Sequence, residues 1–180
     1  MQLSRAQHRE MADALVEAER TKVWTEPLTL RYDGADIEDA YAVGQMVTDI
    51  KVAGGRVVKG HKVGLTSKAM RDTAGATEPD YGTIFDDWFL DEGTQVSMST
   101  MNNPLVELEL VFVLKENLGG RSVNAVDVVR ATDFVMPAVE VVDTRYSKRG
   151  KPGVIDSISD AASCGFVVVG GNPTSLSDID

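Results

Sequence analysis

The sequence predicts a mixed α+β fold, with a helical N-terminal part over residues 1–55 and a sheet-rich part over residues 56–180. Two observations carry this. Apolar residues recur at helical spacing up to Gly54-Gly55, and beyond Arg56 short apolar runs alternate with glycine-containing turns. No repeat or low-complexity segment interrupts the pattern, so a layered domain with helices set to one side of a sheet accounts for it.

Ser4 followed by Gln7 forms a capping box, and Met11, Ala14, Leu15 and Ala18 share one face. A helix to about Arg20 follows from that spacing. Thr25 to Asp33 alternates Leu28, Leu30 and Tyr32 with polar residues and reads as an extended linker or edge strand. A second helix starts at Asp36, carries Ile37, Ala40, Tyr41, Met46, Val47 and Ile50, and stops at Gly54-Gly55. Val57-Val58 leads through Gly60-His61-Lys62-Val63-Gly64 as a strand passing into a turn, and Ser67 caps a short helix through Met70. Glu78-Pro79-Asp80-Tyr81-Gly82 reads as a turn. Leu105–Leu114 is a strand, Gly119-Gly120 a turn, and Asn124 the cap of a helix bearing Val126, Val128 and Val129. Strands at Met136–Val142 and Phe166–Val169 complete the reading.

The chain has 180 residues, enough for a hydrophobic core without disulfide or metal staples. Its net charge of −10, with no basic run, argues against a nucleic-acid partner. No apolar run approaches the roughly 20 residues of a membrane-spanning helix, and the N-terminus is too polar for a secretory signal. Cys164 is the single cysteine, which fits a reducing, cytoplasmic compartment. It lies among small residues and reads as a buried packing residue, since only His8 and His61 could serve it as a histidine base. An anionic ligand of so acidic a chain needs a local positive centre, either a metal ion or a buried lysine.

On a strand, Glu107 and Glu109 point to the same side together with Leu105, Val111 and Val113. Two readings stand: two solvated glutamates on a half-exposed strand, or two ligands for a hard divalent cation. Apolar neighbours raise the cost of two adjacent carboxylates, and a cation removes it. Glu140 is a third carboxylate inside an apolar strand and needs a partner. That partner is a salt bridge, to Arg130 or Arg145, or a metal shared with Glu107 and Glu109. Lys62 lies between Gly60 and Gly64 among Val58, Val63 and Leu65. It reads either as a surface lysine at a strand end or as a partly desolvated acid or base. His61 alternates away from it. No phosphate-binding glycine loop is present.

Several of these runs together resemble one family. Gly60-His61-Lys62-Val63-Gly64-Leu65-Thr66-Ser67, Glu78-Pro79-Asp80-Tyr81-Gly82, Val106-Glu107-Leu108-Glu109-Leu110, the stretch from Ala131 to Arg145, and Ser157-Ile158-Ser159-Asp160-Ala161-Ala162 resemble the 2-keto-4-pentenoate hydratases. That group includes 2-oxohept-4-ene-1,7-dioate hydratase and 4-oxalocrotonate decarboxylase and is similar to the fumarylacetoacetate hydrolase superfamily. The resemblance implies that superfamily's mixed β-roll, magnesium or manganese held by Glu107, Glu109 and Glu140, a catalytic Lys62, and homo-oligomers. It implies hydration of a 2-hydroxy-2,4-dienoate from aromatic ring cleavage: chelation of the C1 carboxylate and C2 oxygen, protonation at C5, then water addition at C4. Asp80 and Ser159 are further candidates for positioning water and the small 2-oxo acid substrate. The alternatives are decarboxylation of 2-oxo-3-hexenedioate, or a non-catalytic subunit in a complex with a related decarboxylase. The Gly-His-Lys-Val-Gly run leans toward the hydratases.

There are two departures. Family members are longer, so the resemblance predicts that this chain is truncated at its C-terminal side and exposes a sheet edge or an apolar face near the glutamates. Ala161 stands where the family commonly has an asparagine after the Ser-Asp pair.

Overall fold

A computed structural model describes residues 2–120, 122–149 and 151–179; Met1 and Asp180, the two ends of the sequence, lie outside the described residues. The elements in chain order are α1 (Arg5–Thr21), α2 (Leu28–Arg31), α3 (Ile37–Ala53), β1 (Val58–Gly64), α4 (Lys68–Ala74), β2 (Asp80–Phe85), β3 (Phe89–Leu90), β4 (Leu105–Leu114), α5 (Ala125–Ala131), β5 (Thr132–Val142), α6 (Val154–Ser159) and β6 (Cys164–Val169). The chain is thus mixed α and β, as its patterning predicts.

Local signals set most boundaries. Ser4 caps α1 through the Gln7 amide in a complete capping box, and Asp36 caps α3 through the Asp39 amide. Asn124 caps α5. Asp39 is fully buried and accepts from the Gln2 and Leu3 amides and from His8 Nε2 at 2.8 Å. His8 is thereby committed to the helical core and is no candidate base. Met11, Leu15, Leu28, Val43 and Val47 form that core, and Tyr146 and Ile158 enter it from far along the chain.

Two sheets follow. β1 and β2 pair antiparallel, with Lys62 opposite Gly82 and Gly64 opposite Asp80. The larger sheet has the order β3-β6-β5-β4, with β3 parallel to β6 and the other pairs antiparallel. Below it, Ile84, Phe85, Trp88, Ala138, Cys164 and Val167 form a second core. Lys51 and Arg56 stack on that core's aromatic pair, with the Lys51 ammonium 4.6 Å from the Trp88 centroid and the Arg56 guanidinium 4.4 Å from that of Phe85. Both cations are ion-paired to Glu19.

β4 is an edge strand, and its outward face is apolar and open: Val106, Leu108 and Leu110 are 69%, 87% and 61% exposed. Its start is held by Asp143, which accepts from the Asn102 and Asn103 amides, and by the Asn102 side chain, which donates to the Thr144 and Tyr146 carbonyls.

Four expectations need correction. Thr25–Asp33 is not extended throughout: Pro27, with φ fixed at −51°, opens the single turn α2, and only Thr25 makes a strand-like bridge, to Tyr146. The stretch Glu78–Gly82 is not all turn, because Asp80 already pairs with Gly64. α4 runs past Met70 to Ala74, where Gly75 ends it in the left-handed region. β5 begins four residues before Met136, and α6, with Asp156 accepting from the Gly153 amide, was not predicted.

Candidate metal centre

Glu107 on β4 lies directly opposite Glu140 on β5, and Glu109 lies opposite Ala138. The three carboxylates therefore converge, each offering an oxygen within 4.8 Å of the others. Glu107 and Glu109 are exposed and Glu140 is buried, because β4 forms the sheet edge whereas β5 is flanked on both sides. Burial pushes the Glu140 carboxyl above the usual range and the charge of Glu107 adds to that, while Lys62 opposes it.

Lys62 reaches this centre from β1. Its Nζ lies 2.9 Å from Glu140 Oε1 and donates to the Ala162 carbonyl at 3.0 Å. The contact with Glu140 Oε1, a buried oxygen, is an ion pair. Neither arginine expected to neutralise Glu140 does so. Arg145 is buried against Asp160, with Nε 2.5 Å from Oδ1, and donates to the Cys164 and Asp160 carbonyls. Arg130 is exposed on α5. The partner is Lys62.

Asp80 is buried at the end of β2, and burial pushes its carboxyl up against the opposing charge of Lys62. Its Oδ1 has no hydrogen-bond partner. Gly64 makes room for it: a Cβ there would stand 2.2 Å from that oxygen. Glu140 and Asp80 are thus two buried carboxyls in the field of the Lys62 ammonium, which ion-pairs with Glu140 Oε1, whereas Asp80 Oδ1 has no hydrogen-bond partner. An unsatisfied buried acceptor is costly, and a cation or a proton donor satisfies it.

Burial and the charge of Glu140 push the Cys164 thiol up to about 12. It is therefore a neutral buried thiol, consistent with a packing role. Ser159 is placed elsewhere than expected. Its hydroxyl donates to the Asp156 carbonyl at 2.8 Å and is bonded to the Tyr146 hydroxyl at 2.7 Å, inside the helical core. With those bonds made, it anchors α6 rather than facing the carboxylates. His61 is exposed and points away from Lys62.

Sequence reasoning missed the turn that supplies the Ala162 carbonyl. Ala161, Ala162 and Ser163 all adopt positive φ, at 54°, 49° and 57°. None of these residue types favours that region, so no side-chain signal marks the turn.

Three clustered glutamates, two exposed and one buried beside a lysine, can hold one divalent cation, leaving coordination positions open to oxygen ligands of a small acid.

No protein-family model matches the chain. Curated relatives do. It is 39% identical over 179 residues to a 2-oxo-hept-4-ene-1,7-dioate hydratase of Escherichia coli, covering 96% of this chain and 67% of the relative. It is 35% identical over 172 residues to a 2-hydroxypent-2,4-dienoate hydratase of Pseudomonas putida, covering 95% and 77%. Among solved structures, 4-oxalocrotonate decarboxylase from Pseudomonas putida G7, complexed with magnesium and adipate, superimposes with a TM-score of 0.92 at 32% identity, covering 99% of this chain and 67% of that one. The chain thus spans about two thirds of the length of the proteins it matches.

Proposed function

The chain belongs to the family of 2-keto-4-pentenoate and 2-oxohept-4-ene-1,7-dioate hydratases, and from that premise we propose that it is a divalent-metal-dependent hydratase. Its substrate is a 2-hydroxy-2,4-dienoate and its product a 4-hydroxy-2-oxo acid, in the catabolism of aromatic ring-cleavage products. The observation that carries the reading is the convergence of Glu107, Glu109 and Glu140 beside Lys62. One ammonium beside three clustered carboxylates leaves net negative charge, which favours a divalent cation there.

The three glutamates would hold magnesium or manganese. When bound, the ion supplies Lewis-acid polarisation of the substrate's C1 carboxylate and C2 oxygen. The protein's own groups do the rest. Lys62 is the cation that Glu140 and Asp80 share, and it moves the proton that arrives at C5 as the enol C2–OH becomes a carbonyl. Water then adds across the conjugated C3–C4 bond, its oxygen at C4 and a proton at C3. Asp80, a buried carboxyl raised by burial with one free oxygen, is suited to hold that water and take its proton. Ser159 supports the site from a distance through Tyr146 and α6.

In the same reading the two sheets are part of the mixed β-roll of the fumarylacetoacetate hydrolase type, residues 1–55 form a helical part ahead of it, and the enzyme is a cytoplasmic homo-oligomer. Among the described residues no helix is long and apolar enough to cross a membrane.

A second reading is favoured by the close superposition on a decarboxylase: loss of CO2 from 2-oxo-3-hexenedioate at the same carboxylate cluster. The test is to follow dienoate loss and CO2 release in parallel, with and without magnesium. Magnesium-dependent dienoate loss without CO2 supports the hydratase; stoichiometric CO2 assigns the decarboxylase; neither activity with added metal refutes both.

A further inference from the structure

We infer that the left-handed turn Ala161–Ser163 is a positioning element for Lys62, presenting the Ala162 carbonyl as a fixed acceptor for its ammonium. The inference rests on the reading of Lys62 as the proton-moving group of the site.

Three consecutive non-glycine residues with positive φ are an unfavourable backbone that persists only where its surroundings enforce it. Here they do. The turn is tied at both ends, by the Ser163 amide to the Asp160 carbonyl at 2.9 Å and by the Asp143 amide to the Ser163 carbonyl at 2.8 Å. The Asp160 side chain is itself locked by Arg145. The turn is then pressed onto β2 at Gly82, where an added Cβ would come within 2.1 Å of the Ala161 carbonyl oxygen. Gly82 is the register partner of Lys62. The same glycine that admits the turn therefore sits across the ladder from the lysine whose Nζ the next carbonyl receives, at 3.0 Å.

The arrangement has a specific use. The other partner of Lys62 is Glu140, whose charge is shared with any cation held by the three glutamates. The Ala162 carbonyl is not a metal ligand in this reading, so it keeps hold of the ammonium whichever way Glu140 is engaged. A lysine has four rotatable side-chain bonds, and a single neutral acceptor fixed by backbone geometry confines its Nζ without cancelling its charge.

The experiment compares wild type with Ala162→Gly, Gly82→Ala and Lys62→Met. Glycine at position 162 keeps the carbonyl and suits positive φ, so it relieves the backbone while loosening the turn. Two readouts are used: steady-state turnover of a 2-hydroxy-2,4-dienoate, and hydrogen exchange of the Lys62 ammonium by proton–nitrogen NMR of lysine-labelled protein, assigned by its disappearance in Lys62→Met. The second needs no turnover.

We expect Ala162→Gly to melt no lower than wild type yet lose roughly tenfold in kcat with little change in KM, since small misplacements at a reacting centre cost one to two orders of magnitude. The Lys62 ammonium should exchange faster in the same variant. Gly82→Ala should move both readouts the same way and further. Wild-type turnover and exchange in Ala162→Gly, with Lys62→Met inactive, would overturn the positioning role and leave the proposed function standing. Wild-type turnover in Lys62→Met would overturn the role of the lysine, and the turn's role with it.

Discussion

Glu107 and Glu140 face each other across the β4–β5 ladder, one exposed at the sheet edge and the other buried in its interior. Two carboxylates so placed destabilise each other, and the Lys62 ammonium cancels only one of the charges that Glu107, Glu109 and Glu140 bring together. A divalent cation held there, as the proposed function requires, would remove that repulsion.

Lys62 is expected to be catalytic and not a ligand. Lys62→Met should lower turnover by roughly 10²–10⁴, the usual cost of removing a positioned proton-transfer group, and leave magnesium affinity nearly intact. Steady-state kinetics beside calorimetry separate the two quantities. Wild-type turnover would make the lysine a structural partner of Glu140 only.

Acid should act on the Glu19 cluster. Burial opposes ionisation of Glu19, but Lys51, Arg145 and Arg56 outweigh it and hold the carboxyl at about 2, below its ordinary 4.5. A carboxyl depressed on folding contributes stability that is complete above its unfolded value and is lost as pH falls toward the folded one. Between pH 4.5 and about 2 the protein should therefore lose stability, by on the order of 3 kcal/mol from this group. Denaturant titrations at pH 5 and pH 3 should register about 2 kcal/mol of that loss. Glu19→Gln should be less stable at pH 7, since it leaves Lys51 buried and unpaired, and should show a shallower acid dependence. An unchanged acid slope in that variant would remove Glu19 from the account.

The outward face of β4 should be adhesive. Leu108 is 87% exposed between Val106 and Leu110 on a strand with one unpaired edge. The 180-residue chain should bind an apolar dye and self-associate at micromolar concentration, and Leu108→Lys should reduce both. A strictly monomeric, dye-silent wild type by sedimentation would contradict this.

Much of this was legible in the residues because the governing signals are local. Ser4 with Gln7, Asp36, and Asn124 mark helix starts by side chains that reach their own backbone. The alternation in Leu105–Leu114 placed Glu107 and Glu109 on one face, where the structure has them. What was not legible depends on partners distant in sequence. The one-turn α2 and the six-residue α6 are too short for periodicity to register. Ser159 reads as a site residue by its motif, and only the fold shows its hydroxyl bonded to Tyr146. The Ala161–Ser163 conformation is imposed by Gly82, Asp143 and Asp160, and nothing in the types alanine and serine announces it. The identity of Glu140's partner required knowing that Arg145 is already taken by Asp160.

The most direct test is isothermal calorimetry of magnesium and manganese on the folded chain, beside Glu107→Gln. Glu107 is exposed, so the substitution keeps the shape and removes one of the three clustered charges without disturbing the core. One divalent ion per chain, bound more weakly by at least roughly tenfold in Glu107→Gln, is the predicted result. No binding of either ion to folded wild type, or equal affinity in the two proteins, would contradict the carboxylate centre on which the proposed function depends.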